Sequence, residues 1–92
     1  MMCLVFWDKK IIDGVYRKLS SRNILYTQIY LPDQIWSIVL EFSTPPIEQG
    51  YECIADEVYF LADTAPHYLL ADGFKFDFLD GPRKIGECIV AT

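Results

Sequence analysis

Phe74-Lys75-Phe76-Asp77-Phe78-Leu79-Asp80-Gly81-Pro82-Arg83-Lys84-Ile85-Gly86-Glu87-Cys88-Ile89-Val90 carries the pattern that decides the fold. Phe74, Phe76 and Phe78 fall on one face and Lys75 and Asp77 on the other. That period of two marks a half-buried strand. Asp80-Gly81-Pro82 then signals a turn, because glycine tolerates positive φ and proline removes a ladder donor. Ile85 to Val90 supplies a second apolar run, in which Gly86 is small enough for a bulge or a close backbone approach. The segment reads as two strands around a tight turn.

Upstream of it, Asp63-Thr64-Ala65-Pro66 is a loop and Glu52 to Leu61 a strand. The alternation of that strand breaks at Asp56-Glu57, which predicts a β-bulge with one extra residue shifting the register. Trp36 to Phe42 alternates cleanly, with Trp36, Ile38, Leu40 and Phe42 inward and Ser37 and Glu41 outward, and Ser43-Thr44-Pro45-Pro46 ends it. Ile24 to Leu31, rich in Tyr and Ile, is a strand closed by Pro32-Asp33. Asp13-Gly14 is a hairpin-type dipeptide between Lys10-Ile11-Ile12 and Val15-Tyr16-Arg17, although Val15 to Leu19 equally fits one turn of helix. Cys3 to Trp7 is a short apolar strand. No segment holds a 3.6-residue period over three turns. Six or seven short strands between turn clusters favour an all-β barrel or sandwich, in one domain spanning residues 1–92.

The composition is 52% hydrophobic and 15% aromatic, which excludes a disordered chain and leaves more apolar surface than one small core readily hides. The net charge of −5 is unevenly spread. Residues 1–31 carry five basic against two acidic side chains, a balance of +3, whereas residues 32–92 carry three basic against eleven acidic ones, a balance of −8. An acidic body repels nucleic acid and anionic lipid, and the basic first third keeps a weaker version of such binding open. Cys3, Cys53 and Cys88 are odd in number and widely spaced, against a disulfide framework or a zinc site and in favour of a reducing, cytoplasmic compartment. The apolar run Met1–Trp7 is too short for a secretory signal or a membrane span.

The block from Trp36 to Ala91, about three-fifths of the chain, resembles the third domain of translation elongation factor Tu. The residues that carry the resemblance are Ala55-Asp56-Glu57-Val58-Tyr59-Phe60-Leu61, the Pro66-His67 turn and Leu69-Leu70-Ala71-Asp72-Gly73-Phe74-Lys75-Phe76. Asp80-Gly81-Pro82-Arg83-Lys84-Ile85-Gly86-Glu87-Cys88-Ile89-Val90 is similar to that family's closing hairpin, with Gly73, Gly81, Arg83 and Gly86 at the family's spacing. The resemblance implies a closed antiparallel β-barrel of about six strands, of Greek-key type. It does not extend to nucleotide hydrolysis, because the chain holds no G-x-x-x-x-G-K-[ST] phosphate cradle, and fold alone does not transfer function.

No catalytic residue is assigned. His67 is the only histidine, and no motif links it to Cys53, Cys88 or Asp63; a turn role accounts for it. Asp56 and Glu57 point to opposite faces of a strand, which favours a structural salt bridge over an acid–base pair. No metal or cofactor is expected. Tyr26, Tyr30, Trp36 and Tyr51 form a candidate interaction surface, and Lys75, Arg83 and Lys84 a candidate cationic contact. The expected function is that of a non-enzymatic module, an accessory or immunity-type protein that binds a protein partner or self-associates. The alternative is a translation-related RNA-binding protein using the basic first third and Arg83/Lys84.

Overall fold

Seven antiparallel strands in one sheet make up nearly all of the regular structure in the computed structural model, which describes residues 1–9 and 18–91. The strands are β1 (Met2–Trp7), β2 (Ile24–Tyr30), β3 (Ile35–Glu41), β4 (Glu52–Ala55), β5 (Glu57–Phe60), β6 (Lys75–Asp80) and β7 (Arg83–Ala91). Their hydrogen-bonded order is β4-β1-β7-β6-β2-β3-β5. One helical turn, α1 (Pro46–Gln49), and a 3-10 turn at His67–Leu69 are the helical elements among the described residues. The fold is all-β, as expected. The proposed Asp13-Gly14 hairpin lies outside the described residues.

The closing hairpin forms where the alternation places it. Phe76 and Phe78 are buried, Lys75 and Asp77 are exposed, and Gly81 takes φ +61° in the turn. Gly86 stands directly opposite Phe78 and, on its other side, opposite Trp7. The Phe78 ring occupies the space that a side chain at Gly86 would need, and it meets Trp7 edge-to-face at 5.1 Å between centroids. A Cβ at Gly86 would overlap that ring and come 2.6 Å from the Phe6 carbonyl oxygen. The close approach expected at Gly86 is therefore present. The register irregularity falls beside it, between Phe78 and Leu79.

The break at Asp56-Glu57 has a different cause from the expected bulge. β4 pairs with β1 and β5 pairs with β3, so the chain changes partner at Asp56 instead of inserting a residue into one ladder. The Asp56 N–H donates to the Glu41 carbonyl at 2.8 Å, and its carboxylate accepts the Ser43 N–H at 2.6 Å. That backbone donor holds the Asp56 carboxyl below the usual carboxylate range. The open side of β4 is covered by a side chain. The Gln49 amide accepts the Ile54 N–H at 2.8 Å and donates to the Ile54 carbonyl at 3.1 Å, as a neighbouring strand would. Pro46 at the start of α1 and Gly50 after its end are the sequence signal for this turn.

The ladders differ in completeness. β2 and β3 share seven paired positions and β1 and β7 share six, whereas β2 and β6 share only Gln28–Leu79. Two side chains reinforce this seam: buried Thr27 donates its hydroxyl to the Leu79 carbonyl at 2.6 Å, and Tyr30 donates to the Gly81 carbonyl at 2.8 Å.

Gly86→Ala is expected to destabilise the fold by about 1–3 kcal/mol through overpacking, read as a lower urea midpoint at unchanged slope. An unaltered midpoint would contradict the close approach. Thr27→Val, of equal size, is expected to cost about 1 kcal/mol through the lost buried hydrogen bond. Equal chemical-denaturation curves for the two proteins would show that the hydroxyl contributes nothing.

Candidate functional site

The outward face of β2, β3 and β5 carries a cross-strand row of unusual composition. Register places Tyr26 opposite Val39, and Val39 opposite Tyr59. Val39 points away from the core side chains Ile38 and Leu40, yet it is 0% exposed. Its cross-strand neighbours on that face, Tyr26 and Tyr59, are 63% and 38% exposed. Tyr30 pairs with Ile35 further along the same face, and Leu61 bonds to Ser37 beside it. Ile35 and Leu61 are each 57% exposed and Tyr30 is 43% exposed. Glu41 and Glu57 pair with each other on the adjoining row, which gives the apolar face an acidic border.

Glu41 is joined to this face chemically. Its carboxylate accepts the Tyr59 hydroxyl, which raises the Tyr59 pKa above the usual tyrosine value. Ionising the phenol would break the bond and set two anions together.

The four aromatic candidates divide. Tyr26 and Tyr30 lie on this exposed face, joined by Tyr59, Ile35 and Leu61. Trp36 lies on the opposite face, half-buried against the core, with Phe60 edge-on at 6.5 Å and its indole N–H on the Gln34 amide oxygen at 2.9 Å. Tyr51 is likewise half-buried against the core. Alternation along β2 was enough to join Tyr26 with Tyr30. The addition of Tyr59 depends on the β3–β5 register, which no local pattern announces.

The cationic candidates divide as well. Lys84 contacts Glu87 at 3.2 Å and Asp77 at 3.9 Å, and the Glu87 bond raises its pKa. It offsets the repulsion between those two carboxylates, which face each other across β6 and β7. Arg83 is exposed beside Asp80 in the turn, and Lys75 is exposed opposite Ile89. The three do not form one basic tip.

The groups with reactive potential are held structurally. His67 Nε2 lies 2.9 Å from the Asp63 carbonyl, and its ring meets Phe60 edge-on at 5.8 Å. All three cysteines are buried and free. Cys53 and Cys88 flank Val5 on the inner face, and burial raises both thiol pKa values and keeps them protonated. Among the described residues no cluster of His, Cys, Asp or Glu is arranged to hold a metal ion, and no helix is long and apolar enough to cross a membrane. No family model, curated protein or solved structure matches the chain.

A second apolar outward face lies across β4, β1 and β7, where Ile54, Leu4 and Ile89 form one row. The next row reads Glu52, Phe6, Glu87 and Asp77, so carboxylates border the exposed Phe6.

Because the Tyr59 pKa is raised in the folded protein, the stability contributed by its bond to Glu41 is present below the usual tyrosine pKa. It is lost as pH rises through the raised value. Glu41→Gln is expected to move the Tyr59 titration down toward the ordinary range, followed by the NMR shift of its ring carbons. A midpoint that does not move would contradict the bond.

Proposed function

We propose that this protein is a non-enzymatic binding module that engages another protein through the outward face of β2, β3 and β5. The observation that carries the reading is the Tyr26–Val39–Tyr59 row, extended by Tyr30, Ile35 and Leu61. Scattered exposed apolar residues are ordinary on a small protein, but a contiguous aromatic and aliphatic face with a charged border has the composition of a binding interface. Tyrosine suits such a face, since it buries a large ring at small entropic cost and keeps a polar tip. Of the bordering carboxylates, Glu57 is ion-paired with the Met1 ammonium at 2.6 Å and Glu41 accepts the Tyr59 hydroxyl. An accessory role, in which the module masks or recruits its partner, follows from binding without a reactive group on the face.

For the architecture, we infer an antiparallel barrel of about six strands, like the third domain of elongation factor Tu that residues 36–91 resemble. Three features support the inference. β4 and β5, the two ends of the strand order, are separated in the chain by Asp56 alone. The Val58 N–H donates to the Met1 carbonyl at 3.0 Å, which brings β5 beside the start of β1. One apolar cluster draws side chains from all seven strands. In this reading β4 and β5 are halves of one bent strand.

The binding reading is tested by site-specific photo-crosslinking in cells, with benzoyl-phenylalanine at Tyr26 and, as a control, at exposed Asp72. A discrete adduct is expected from position 26 and not from position 72, and Leu61→Lys should abolish it without lowering the melting temperature. A protein that is strictly monomeric by light scattering and forms no discrete adduct from position 26 would overturn the proposal.

A further inference from the structure

The outward face of β4, β1 and β7 differs in charge from the Tyr26–Tyr59 face. Alternation turns Met2, Leu4 and Phe6 of β1 outward, because Cys3, Val5 and Trp7 fill the core. Register sets Leu4 between Ile54 and Ile89, and Phe6 between Glu52 and Glu87. Met2, Phe6 and Ile54 are exposed, and Leu4 and Ile89 are half-buried. Rows on one face of a strand lie about 7 Å apart. An apolar row and an acidic row therefore run side by side across three strands.

The pairing geometry brings Phe6 and Glu52 especially close. The Trp7 N–H donates to the Tyr51 carbonyl at 2.8 Å, which makes Trp7 and Tyr51 a hydrogen-bonded pair. Pairs of that kind alternate along an antiparallel ladder with pairs that share no hydrogen bond, and in the latter the side chains stand nearer. Phe6 and Glu52 are the next pair in register and are of the nearer kind. An exposed aromatic ring and an exposed carboxylate thus rise together from neighbouring strands.

The charge around the ring is in excess. Among the described residues no ion pair engages Glu52. On the other side of Phe6, the single ammonium of Lys84 serves both Glu87 at 3.2 Å and Asp77 at 3.9 Å, and it also feels the charge of Asp8. This surplus repels anionic lipid. Two copies of the face laid on each other would set carboxylate against carboxylate, so the complementary occupant is a different, basic surface.

We propose that this face docks a basic partner protein, whose arginine stacks on the Phe6 ring and bonds the Glu52 carboxylate. The apolar side chains beside that arginine cover Ile54, Leu4 and Ile89. Arginine fits the pair better than lysine, because its planar guanidinium lies flat on an aromatic face while its N–H fork reaches a carboxylate. An unpaired carboxylate gains more from such a cation than one already neutralised within the protein, which distinguishes Glu52 from Glu57 of the other face. The site goes beyond the Tyr26–Tyr59 reading and does not depend on it.

The test uses a displayed library of random cyclic heptapeptides, selected on the full-length protein. Arginine beside apolar residues is expected to be enriched, and a selected peptide should shift the NMR signals of the Phe6 ring and the Leu4 and Ile54 methyls. Replacing its arginine with citrulline, which keeps the shape and removes the charge, should weaken binding at least tenfold. Glu52→Gln should weaken the arginine peptide about tenfold, the worth of one charge-assisted hydrogen bond. Phe6→Leu keeps an apolar side chain but removes the ring, and it should weaken binding several-fold. Asp33→Asn removes one exposed charge elsewhere and should leave the affinity unchanged, as should Leu61→Lys, which disables the other face. The proposal is overturned by a selection without arginine, by shifts that map away from Phe6, or by equal affinity in Glu52→Gln and the original. A dimer seen by light scattering and abolished by Phe6→Leu would also overturn it, because the face would then belong to a second copy.

Discussion

The contact of the Phe78 ring with the bare backbone of Gly86 is the constraint on which the other parts of the sheet depend. It fixes the register of β6 on β7, because only at a glycine does the second strand leave room for an inward phenylalanine ring. It fixes β1 on β7 as well, since Gly86 also faces Trp7 and the two aromatic rings meet edge-to-face over it. Three strands are therefore locked by one missing Cβ. The interior is dense and slippage by one residue would turn every buried side chain outward, so the lock is strong relative to its size.

Asp56 does for the other end of the sheet what Gly86 does for its centre. It lets one short segment serve β1 with its first half and β3 with its second, and two hydrogen bonds to Glu41 and Ser43 hold the corner. Against these two well-determined places stands the seam between β2 and β6, with one paired position and two hydroxyls bridging it.

The exposed apolar surfaces arise from the same geometry. A small antiparallel sheet with so high an apolar content buries one face and must leave part of the remainder on the other. Here the remainder is gathered. Tyr26 and Tyr59 flank Val39 and are themselves left in solvent, and carboxylates border both this face and the one around Phe6. The potentially reactive groups are held in structural roles, the cysteines in the core row and His67 between Asp63 and Phe60.

Period-two alternation was sufficient for the all-β class, for the inward set Ile38, Leu40, Phe76 and Phe78, and for the turn at Gly81-Pro82, because side-chain direction along a strand and turn conformation are local properties. The special role of Gly86 was also legible, since a glycine amid an apolar run calls for a close neighbour. The identity of that neighbour was not, and neither was the change of partner at Asp56, which resembles a bulge when only its own segment is read. Alternation also turned Trp36 inward and put Tyr26 and Tyr30 on one face. That Tyr59 joins them was decided only by the tertiary structure, because a face shared by three strands depends on the register between segments far apart in the chain. The seam between β2 and β6 belongs to the same class: an unmade pairing leaves no mark on the residues that fail to make it.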